Sequence, residues 1–356
     1  MVSLAEVSIA SILVDWTDAF DQLWTAANFS QHKPSTIHSY RSTTARLQEG
    51  SHHVPMNEFT KTTTAEEVTA NLDLANTTVL ISGCTSGIGR ETMRVLALRG
   101  AHVLATGRTE EQVRLASRTM PGKITPVALE LTDLVSINAC AQALADTDLL
   151  PDIVICNAGI FPFGNLELVH GIEKVFFANF LGHFALIKKL LPAMLKRGVG
   201  QFVHVSSESA YKQAPACGVD FDNLRGERVF NAGQAYGRSK LANALFSLEL
   251  AERLKGTNLR SNALHPGSIV TNISHSAPIW TKALIMLSRP FLRSVEEGAA
   301  TQVYVATHPD AAEESGRFFS TCSVTDLKAG SLLTNRALAQ QLWHVAEDML
   351  HDLQTA

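Results

Sequence analysis

A tyrosine and a lysine lie four residues apart in this chain, and their spacing suggests proton chemistry. Tyr236 and Lys240 fall in a helical pattern over residues 234–254, where residues i and i+4 share one face. A nearby ammonium group favours the phenolate and lowers the pKa of a phenol from about 10 toward neutrality. The pair therefore predicts a tyrosine that donates and accepts a proton, although the same spacing is common on ordinary helix surfaces.

A serine hydroxyl is the natural companion of such a pair. Ser206 and Ser207 follow the run QFVHV, at the carboxyl end of a predicted parallel strand, where sheets of this kind bind ligands. A hydroxyl in that place can form a hydrogen bond with a substrate oxygen as charge develops on it. We choose Ser207 over Ser206 for this role.

A glycine-rich turn follows the first predicted strand. Gly83, Gly87 and Gly89 have the spacing G-x3-G-x-G and lead into a helical pattern. Glycines let the backbone approach a pyrophosphate, and a helix N-terminus offers free N–H groups. A tight packing turn is the alternative. We predict a bound dinucleotide, in contact with Gly83, Thr85, Ser86, Gly87, Ile88 and Gly89.

The end of the second predicted strand bears on which dinucleotide is bound. An NAD site places an acid there, about 20 residues after the glycine turn, to hold the ribose 2′-hydroxyl. This chain has Arg108 there, and a cation suits a 2′-phosphate. We therefore predict NADP(H) rather than NAD(H), with Arg90 as a candidate second cation. In the alternative, Arg108 is solvated and Glu110 or Glu111 binds the ribose.

The elements that must position these residues alternate along the chain. Short β-branched runs are separated by helical patterns, which predicts βαβ units with right-handed crossovers. The predicted fold is a doubly wound α/β Rossmann fold, with a central parallel sheet and helices on both faces. A capping box at Thr64 starts the domain. The predicted strands are 77–82, 102–106, 152–156, 201–206, 260–264 and one near Phe318, and the predicted closing helix is 335–354.

An extension precedes this domain. Residues 12–27 have an amphipathic helical pattern, and residues 29–63 are rich in Ser, Thr and His like a linker or an arm. We predict an N-terminal extension over 1–63, whose helix packs on the main domain or on a second subunit, and a Rossmann domain over 64–356. The polar side of the helix is acidic, which disfavours anionic lipid.

Composition excludes several classes of protein. The 356 residues carry 30 Lys+Arg against 34 Asp+Glu, so the electrostatic footprint of a nucleic-acid binder is missing. Five scattered cysteines without a CxxC pair indicate neither disulfides nor a zinc site, and we expect no metal and a reducing, cytoplasmic location. No stretch has about 18 uninterrupted apolar residues, so we predict no membrane span, and the N-terminus is a poor signal peptide.

Taken together, the motifs resemble those of the short-chain dehydrogenase/reductase family. The glycine turn matches its glycine motif, and Ser207, Tyr236 and Lys240 match its catalytic residues. Other matches are Cys156-Asn157-Ala158-Gly159, Asn179 within ANFLGHF, and Pro266-Gly267-Ser268-Ile269-Val270-Thr271. The resemblance covers residues 60 to 350 and is greatest to the retinol dehydrogenases and to the oxidoreductase part of WW domain-containing oxidoreductase. No WW domain is present.

The resemblance implies hydride transfer between the nicotinamide C4 and the carbonyl carbon of a hydrophobic ketone or aldehyde, or the reverse reaction from a secondary alcohol. Tyr236 would protonate the oxygen, Ser207 would hold it, and Lys240 would bind the ribose and lower the pKa of Tyr236. Asn179 would fix a water for proton resupply. Further cofactor contacts implied by the family are Glu130 and Leu131 at the adenine, the backbone of Asn157, Ala158 and Gly159, and Pro266, Gly267, Ile269 and Thr271 beside the nicotinamide.

The chain also departs from the family pattern. The family's strand motif is usually NNAG, and Cys156 replaces its first Asn. Glu130 stands where the family has Asp. An insert over 214–233, typical of the subgroup, is expected to cover the substrate, and a substrate lid is expected near 268–295. Family members dimerise through the helices that carry Asn179 and Tyr236, so a homodimer is a candidate assembly. His183 and His265 are expected to be structural.

Two other functions remain open at this level. An NAD(H)-dependent oxidative dehydrogenase would follow if Arg108 pointed away from the ribose. A dinucleotide-binding interaction protein, using the N-terminal arm to recruit a partner, would follow if the catalytic residues were idle. The complete set of Asn179, Ser207, Tyr236 and Lys240 favours the reductase.

Overall fold

The computed structural model describes residues 59–145, 147, 149–269 and 292–355. The predicted helix at 12–27, nearly all of the predicted linker, Thr271 and most of the predicted lid lie outside these residues. The domain boundary at 63/64 therefore stays a prediction.

A mostly parallel sheet of eight strands forms the centre of the fold. Its strands, from one edge to the other, run in the order β10-β9-β8-β7-β4-β1-β2-β3, and only β10 is antiparallel to its neighbour. The order reverses between β1 and β4, which is where doubly wound sheets bind ligands. The bounds are β1 Thr78–Ile81, β2 His102–Gly107, β3 Lys123–Ala128, β4 Ile153–Cys156, β7 Gly200–Val205, β8 Leu259–His265, β9 Phe318–Ser320 and β10 Ser323–Val324.

Helices cover both faces of the sheet because successive strand residues point to opposite sides. In β1, Leu80 packs into one core while Val79 and Ile81 pack into the other. The helices are α1 Ala65–Val68, α2 Gly87–Leu98, α3 Glu110–Ser117, α4 Leu134–Ala145, α5 Lys174–Phe176, α6 Gly182–Arg197, α7 Ser209–Lys212, α8 Ala232–Arg253, α9 Val295–Thr307, α10 Pro309–Ala312 and α11 Arg336–Thr355. Helices α4, α6, α8 and α11 line the first core, and α1, α2 and α9 line the second. The predicted fold class is confirmed.

The capping box at Thr64 is present. The Thr64 hydroxyl accepts a hydrogen bond from the Glu67 N–H, and the Glu67 carboxylate accepts one from the Thr64 N–H at 2.7 Å. Just before it, the ring of Phe59 packs edge-on against Tyr304 and His308, each at 5.7 Å between centroids. Phe59, near the end of the predicted linker, therefore lies against α9.

Strand β3 and the hairpin of Leu168–Val169 (β5) with Ile172–Glu173 (β6) were not predicted from the sequence. Strand β3 lies at the edge of the sheet and contains Pro126, which pairs with Ala105 of β2. Proline is tolerated on an edge strand, because the side without the N–H can face solvent. The alternation of apolar and polar residues in β3 is weak, so the sequence does not identify it as a strand.

One helical run among the described residues is long and apolar enough to cross a membrane by composition. It spans Lys174–Arg197, and its most apolar 18-residue window has a mean hydropathy of 1.2 and is 78% buried inside the fold. The run includes α5, a π-helical turn over Phe177–Leu181, and α6. Such burial is typical of the core helix of a folded domain.

Candidate active site

The glycine turn forms a cradle between β1 and α2. Gly83 and Gly87 have φ values of 76° and 57°, which only glycine adopts without strain. A Cβ atom on Gly89 would lie 2.2 Å from the Gly83 carbonyl oxygen. The tight turn therefore requires glycine at all three positions.

The N-terminus of α2 is open to a ligand. Ser86 occupies the N-cap position without making a side-chain cap, and the first turn of the helix carries no acid. Its free N–H groups and positive dipole end are consequently available to an anion. Thr85 and Ser86 are exposed beside it, and Ile88 is half-buried. The predicted pyrophosphate contacts lie together, and this cradle fits a dinucleotide.

The loop after β4 is fastened to the glycine turn through Ser82. The Ser82 hydroxyl oxygen accepts hydrogen bonds from the N–H groups of Asn157 and Ala158, both at 2.9 Å. The Asn157 amide donates to the carbonyl oxygens of Ser82 and Gly83 at 2.8 and 3.2 Å. The Asn157 side chain therefore stabilises the glycine turn over 83–89, hereafter the cofactor turn.

Arg108 lies at the end of β2 with an exposed side chain. Its guanidinium makes no hydrogen bond or ion pair with any residue of the described ranges. Glu110 and Glu111, the alternative ribose ligands, both pair with Arg114, at 3.4 and 2.9 Å. Arg90 donates from Nε to the Ala116 carbonyl oxygen at 3.2 Å, so it lies near α3.

The predicted adenine side is built by Glu130 and Leu131, which follow β3. One Glu130 carboxylate oxygen accepts hydrogen bonds from the N–H and the hydroxyl of Thr132, at 3.0 and 2.8 Å. The Leu131 carbonyl oxygen lies 2.2 Å from where a Cβ atom on Gly182 would stand. This close approach packs the loop against the start of α6.

The two serines after β7 have different partners. The Ser206 hydroxyl is buried and donates to the Lys240 carbonyl oxygen at 2.6 Å. Ser207 forms a hydrogen bond with Tyr236, which lowers the pKa of that phenol. The choice of Ser207 over Ser206 therefore fits the geometry.

Tyr236 and Lys240 lie on one face of α8, as their spacing predicts. The Lys240 Nζ atom is 5.7 Å from the centroid of the Tyr236 ring. In the polypeptide alone, burial raises the pKa of Tyr236 to about 12, and the Ser207 hydrogen bond offsets only part of that increase. Burial lowers the pKa of Lys240 to about 8. In the polypeptide alone, Lys240 therefore does not bring the pKa of Tyr236 below its usual value of 10.0.

Lys240 is held near the loop after β4. Its ammonium donates to the Val205 carbonyl oxygen at 3.0 Å. A Cβ atom on Gly159 would lie 3.2 Å from Lys240 Nζ and 3.3 Å from Asn179 Oδ1. Gly159 therefore lets the lysine and the asparagine approach each other.

Asn179 lies in the π-helical turn between α5 and α6, and is fully buried. Its Oδ1 accepts from the Ile160 N–H at 2.7 Å, and its Nδ2 donates to the Ile160 carbonyl oxygen at 3.0 Å. The same Nδ2 donates to Ser239 Oγ, whose hydroxyl donates to the Tyr236 carbonyl oxygen at 2.8 Å. Asn179 thus connects the loop after β4 with the helix of the tyrosine.

The turn after β8 completes this edge of the sheet. Pro266 is buried, and Gly267 has a φ of 95°, packed against the Arg293 side chain. Ile269 forms an isolated parallel bridge with Arg293, so the two ends of the predicted lid are joined. Arg293 donates to Thr321 Oγ1 at 2.9 Å, and burial lowers the pKa of its guanidinium.

His265 orders the loop that carries Ser207. Its Nδ1 accepts from the Glu208 N–H at 3.3 Å, and its Nε2 lies 3.4 Å from the Glu208 carboxylate. Burial raises the pKa of Glu208, but hydrogen bonds from His265 and Lys212 outweigh it and hold the pKa at about 2. The expectation of a structural role for His265 fits these contacts.

Aromatic side chains border the tyrosine. The Phe161 ring lies 5.0 Å from the Tyr236 ring and 4.9 Å from the Phe163 ring, between centroids. Both phenylalanines are half-buried, so they offer apolar surface beside the phenol. Sequence reasoning missed them, although their position right after the Asn157-Ala158-Gly159 motif was a usable signal.

The insert over 214–233 is held by Arg238, which also forms a buried ion pair. Arg238 of α8 pairs with Glu173 of β6 and donates to the Asn223 carbonyl oxygen at 2.7 Å. A small pocket lies between the insert, β6 and α8. Within the described part of the chain, no three His, Cys, Asp or Glu side chains form a metal-binding group.

Known proteins similar to this chain share most of its length. A family model for short chain dehydrogenase matches residues 77–219. Retinol dehydrogenase 14 from Homo sapiens is 35% identical over 294 residues, which cover 77% of this chain and 86% of that protein. The WW domain-containing oxidoreductase of Gallus gallus is 32% identical over 298 residues, which cover 81% of this chain and 72% of that protein.

Solved structures agree with these relatives. The crystal structure of an uncharacterized protein from Mycobacterium paratuberculosis has a TM-score of 0.63 and 30% identity, covering 78% of this chain and 95% of that one. A protein described as an NAD(P)-dependent gluconate 5-dehydrogenase from Beutenbergia cavernae, solved with NADP at low occupancy, has a TM-score of 0.55 and 26% identity, over 70% and 96%. With this fold, these relatives and the motif residues gathered at one edge of the sheet, the chain belongs to the short-chain dehydrogenase/reductase family of oxidoreductases.

Proposed function

We propose that the protein is an NADP(H)-dependent carbonyl reductase or alcohol dehydrogenase for hydrophobic ketones, aldehydes or secondary alcohols. The observation that carries the proposal is the meeting of Ser207, Tyr236 and Lys240 at the carboxyl edge of the sheet. The loop after β4 joins them to the glycine turn before α2, since Asn157 donates to Gly83 and Gly159 lies beside Lys240. An oxidoreductase of this kind needs a proton donor for the substrate oxygen beside a bound dinucleotide.

The chain's own residues have separable tasks in this reaction. Tyr236 holds the proton that the carbonyl oxygen takes up, and the Ser207 hydroxyl orients that oxygen. Lys240 supplies positive charge beside the phenol, since its Nζ lies 5.7 Å from the ring centroid. The bound nicotinamide would supply or accept the hydride. Phe161 and the half-buried surroundings exclude water from the phenol.

The preference for NADP(H) rests on charges at the end of β2. Arg108 is exposed and unpaired among the described residues, so its guanidinium is free to bind a 2′-phosphate. Glu110 and Glu111, which would favour a ribose hydroxyl, are both engaged by Arg114. Arginine is well suited to phosphate because its fork of N–H donors matches two phosphate oxygens.

The substrate class is supported by the aromatic wall of Phe161 and Phe163 next to Tyr236. We also propose a reducing, cytoplasmic location, since all five cysteines are free and four of them are buried. A small hydrophobic molecule is the proposed partner, without nucleic acid, and without a membrane span.

The decisive experiment follows consumption of NADPH and NADH across a panel of hydrophobic aldehydes, ketones and steroids. Turnover with NADPH that Tyr236→Phe abolishes would support the reductase, because phenylalanine lacks only the proton-donating oxygen. Full turnover in Tyr236→Phe would overturn it. Tight cofactor binding with no turnover on any compound would instead favour an interaction protein.

A further inference from the structure

A fully buried histidine, His183, bridges the cofactor turn and Asn179. Its Nε2 lies 2.8 Å from Ser82 Oγ, and its Nδ1 lies 3.0 Å from the Asn179 carbonyl oxygen. These partners belong to elements 101 and 4 positions away in the sequence. None of the sequence motifs assigns a role to this contact.

The partners of His183 determine its tautomer. A carbonyl oxygen only accepts hydrogen bonds, so Nδ1 must carry the hydrogen that bonds to Asn179. Burial lowers the pKa of His183 to about 4, so the ring is neutral and Nε2 accepts a hydrogen bond. Ser82 must then donate its hydroxyl hydrogen to Nε2. Its oxygen remains free to accept the N–H groups of Asn157 and Ala158, both at 2.9 Å.

The contact continues to the tyrosine without a break. The Asn179 side chain holds Ile160 through two hydrogen bonds and reaches Ser239, which in turn donates to the Tyr236 carbonyl oxygen. One chain of hydrogen bonds therefore runs from Ser82, after β1, through His183 and Asn179 to the backbone of Tyr236.

We propose that His183 is a positioning residue, which fixes the π-helical turn of Asn179 relative to the cofactor turn and so sets the placement of Asn179 and Tyr236. The proposal rests on the proposed function, because its consequence is a change in turnover. It goes beyond that function by assigning a role to a side chain that touches neither substrate nor cofactor.

The two ends of the bridge are unequally important. Without His183, the Ser82 hydroxyl still has the Ile155 carbonyl oxygen at 3.4 Å as an alternative acceptor. The Asn179 carbonyl oxygen would lose its side-chain donor. The loss should therefore affect the asparagine and the chemical step more than binding of the cofactor.

The chain offers a matched control in His204 of β7. This histidine is also fully buried in the same region, with its ring 4.8 Å from Phe246, but neither of its nitrogens has a hydrogen-bond partner among the described residues. His183→Leu and His204→Leu make the same change in size and polarity. Only the first breaks the bridge.

The experiment measures kcat with the best substrate and the dissociation constant of NADPH for each variant. We expect His183→Leu to lose at least about tenfold in kcat, as misplacement of a reacting group does, with the NADPH dissociation constant within about threefold. His204→Leu should keep the wild-type kcat. Equal losses of kcat in both variants, or an unchanged kcat in His183→Leu, would overturn the proposal.

Two conservative variants separate the ends of the bridge. When histidine is replaced, the side-chain amide of asparagine lies where Nδ1 was, and that of the longer glutamine lies where Nε2 was. We expect His183→Asn, which can still donate to the Asn179 carbonyl, to recover most of the lost kcat, whereas His183→Gln should not. The reverse order of recovery would contradict the assignment of the asparagine end.

A readout independent of turnover distinguishes failure of this inference from failure of the proposed function. The Ile160 N–H is bonded to Asn179 Oδ1, so its hydrogen exchange reports on the position of the asparagine. Exchange at Ile160 should be faster in His183→Leu than in His204→Leu even if the wild type turns over no compound. If the wild type is inactive but shows this exchange difference, the proposed reductase function is overturned and the proposed role of His183 is kept. If the two variants show no difference in exchange, the proposed role of His183 is overturned.

Discussion

Burial moves the pKa values of Tyr236 and Lys240 in opposite directions, to about 12 for the phenol and about 8 for the ammonium. The phenol holds its proton up to about pH 12, while the ammonium loses its charge near pH 8. Carbonyl reduction needs the protonated phenol and a positive charge that stabilises the phenolate formed. We expect kcat/KM for reduction with NADPH to be level below about pH 8 and to fall about tenfold per pH unit above it, measured as a pH profile.

Lys240→Arg provides the control for this profile. Arginine keeps its charge at every pH used, so the fall near pH 8 should disappear even though the longer side chain lowers turnover. If kcat/KM of Lys240→Arg still falls near pH 8, another titrating group causes the fall.

Arg108 is the residue on which cofactor choice depends. Removal of a charge-assisted bond to a 2′-phosphate costs about 10- to 100-fold in affinity. We expect Arg108→Ser to lower kcat/KM for NADPH by that factor and to leave kcat/KM for NADH within about threefold. Arg114→Ser, a neighbouring exposed cation bonded to Glu110 and Glu111, is the control. A similar loss for both cofactors in Arg108→Ser would refute a phosphate contact.

At the scale of elements, the sequence pattern predicts the strands and helices that are strongly apolar and leaves out the irregular ones. Buried strands such as Ile153–Cys156 carry a clear β-branched signal. The edge strand Lys123–Ala128 does not, because its exposed ends and Pro126 weaken the pattern. The π-helical turn of Asn179 has no local signature, since it depends on contacts with Ile160 and Ser239 distant in the sequence.

The site shows the same division. The glycines, Ser207, Tyr236 and Lys240 have fixed spacings and could be predicted as candidates. The bridge from His183 to Ser82 joins residues 101 positions apart, so only the folded arrangement reveals it. The phenylalanines beside Tyr236 lack a spacing rule for the same reason.

The packing of α6 on the loop after β3 is testable through Gly182. Its backbone is helical, so alanine fits the conformation, but the new Cβ atom would lie 2.2 Å from the Leu131 carbonyl oxygen. We expect Gly182→Ala to lower the free energy of unfolding by about 2–3 kcal/mol, as overpacking does. Chemical denaturation measures this change.

Gly233 of α8 is the matched control, because the nearest atom to its added Cβ would be 3.4 Å away. Gly233→Ala should raise the free energy of unfolding by up to about 1 kcal/mol, since alanine restricts the unfolded chain more than glycine does. Equal stability of the two variants would show that α6 can move away from Leu131.

At the scale of the molecule, the closing helix α11 packs against α6 and α8, the helices through which a family dimer would form. The Trp343 ring lies 5.0 Å from Phe184 of α6 and 5.7 Å from Phe246 of α8. Lys188 of α6 also pairs with Glu347 of α11 at 2.5 Å. We therefore expect a monomer of 38.6 kDa by light scattering after size-exclusion chromatography. A concentration-independent dimer would require a different interface.

Two buried histidines make the stability of the whole molecule depend on pH. Burial is the main cause that lowers the pKa of His183 to about 4 and of His204 to about 3, while in the unfolded chain both titrate near 6.5. Below that value the unfolded state binds more protons than the folded state, so stability is complete above about pH 6.5 and is lost as the pH falls.

Below about pH 6.5, each histidine should contribute about 1.4 kcal/mol per pH unit to this loss. We expect the free energy of unfolding to fall by about 2–3 kcal/mol between pH 7.5 and pH 5.5, measured by urea denaturation. Carboxylates contribute little in this interval because they titrate near pH 4 when unfolded. His204→Leu should remove about 1.4 kcal/mol of this fall and raise stability at pH 5.5, since the imidazole nitrogens it removes have no partner among the described residues. A pH dependence unchanged in His204→Leu would mean that this ring already takes up a proton in the folded protein.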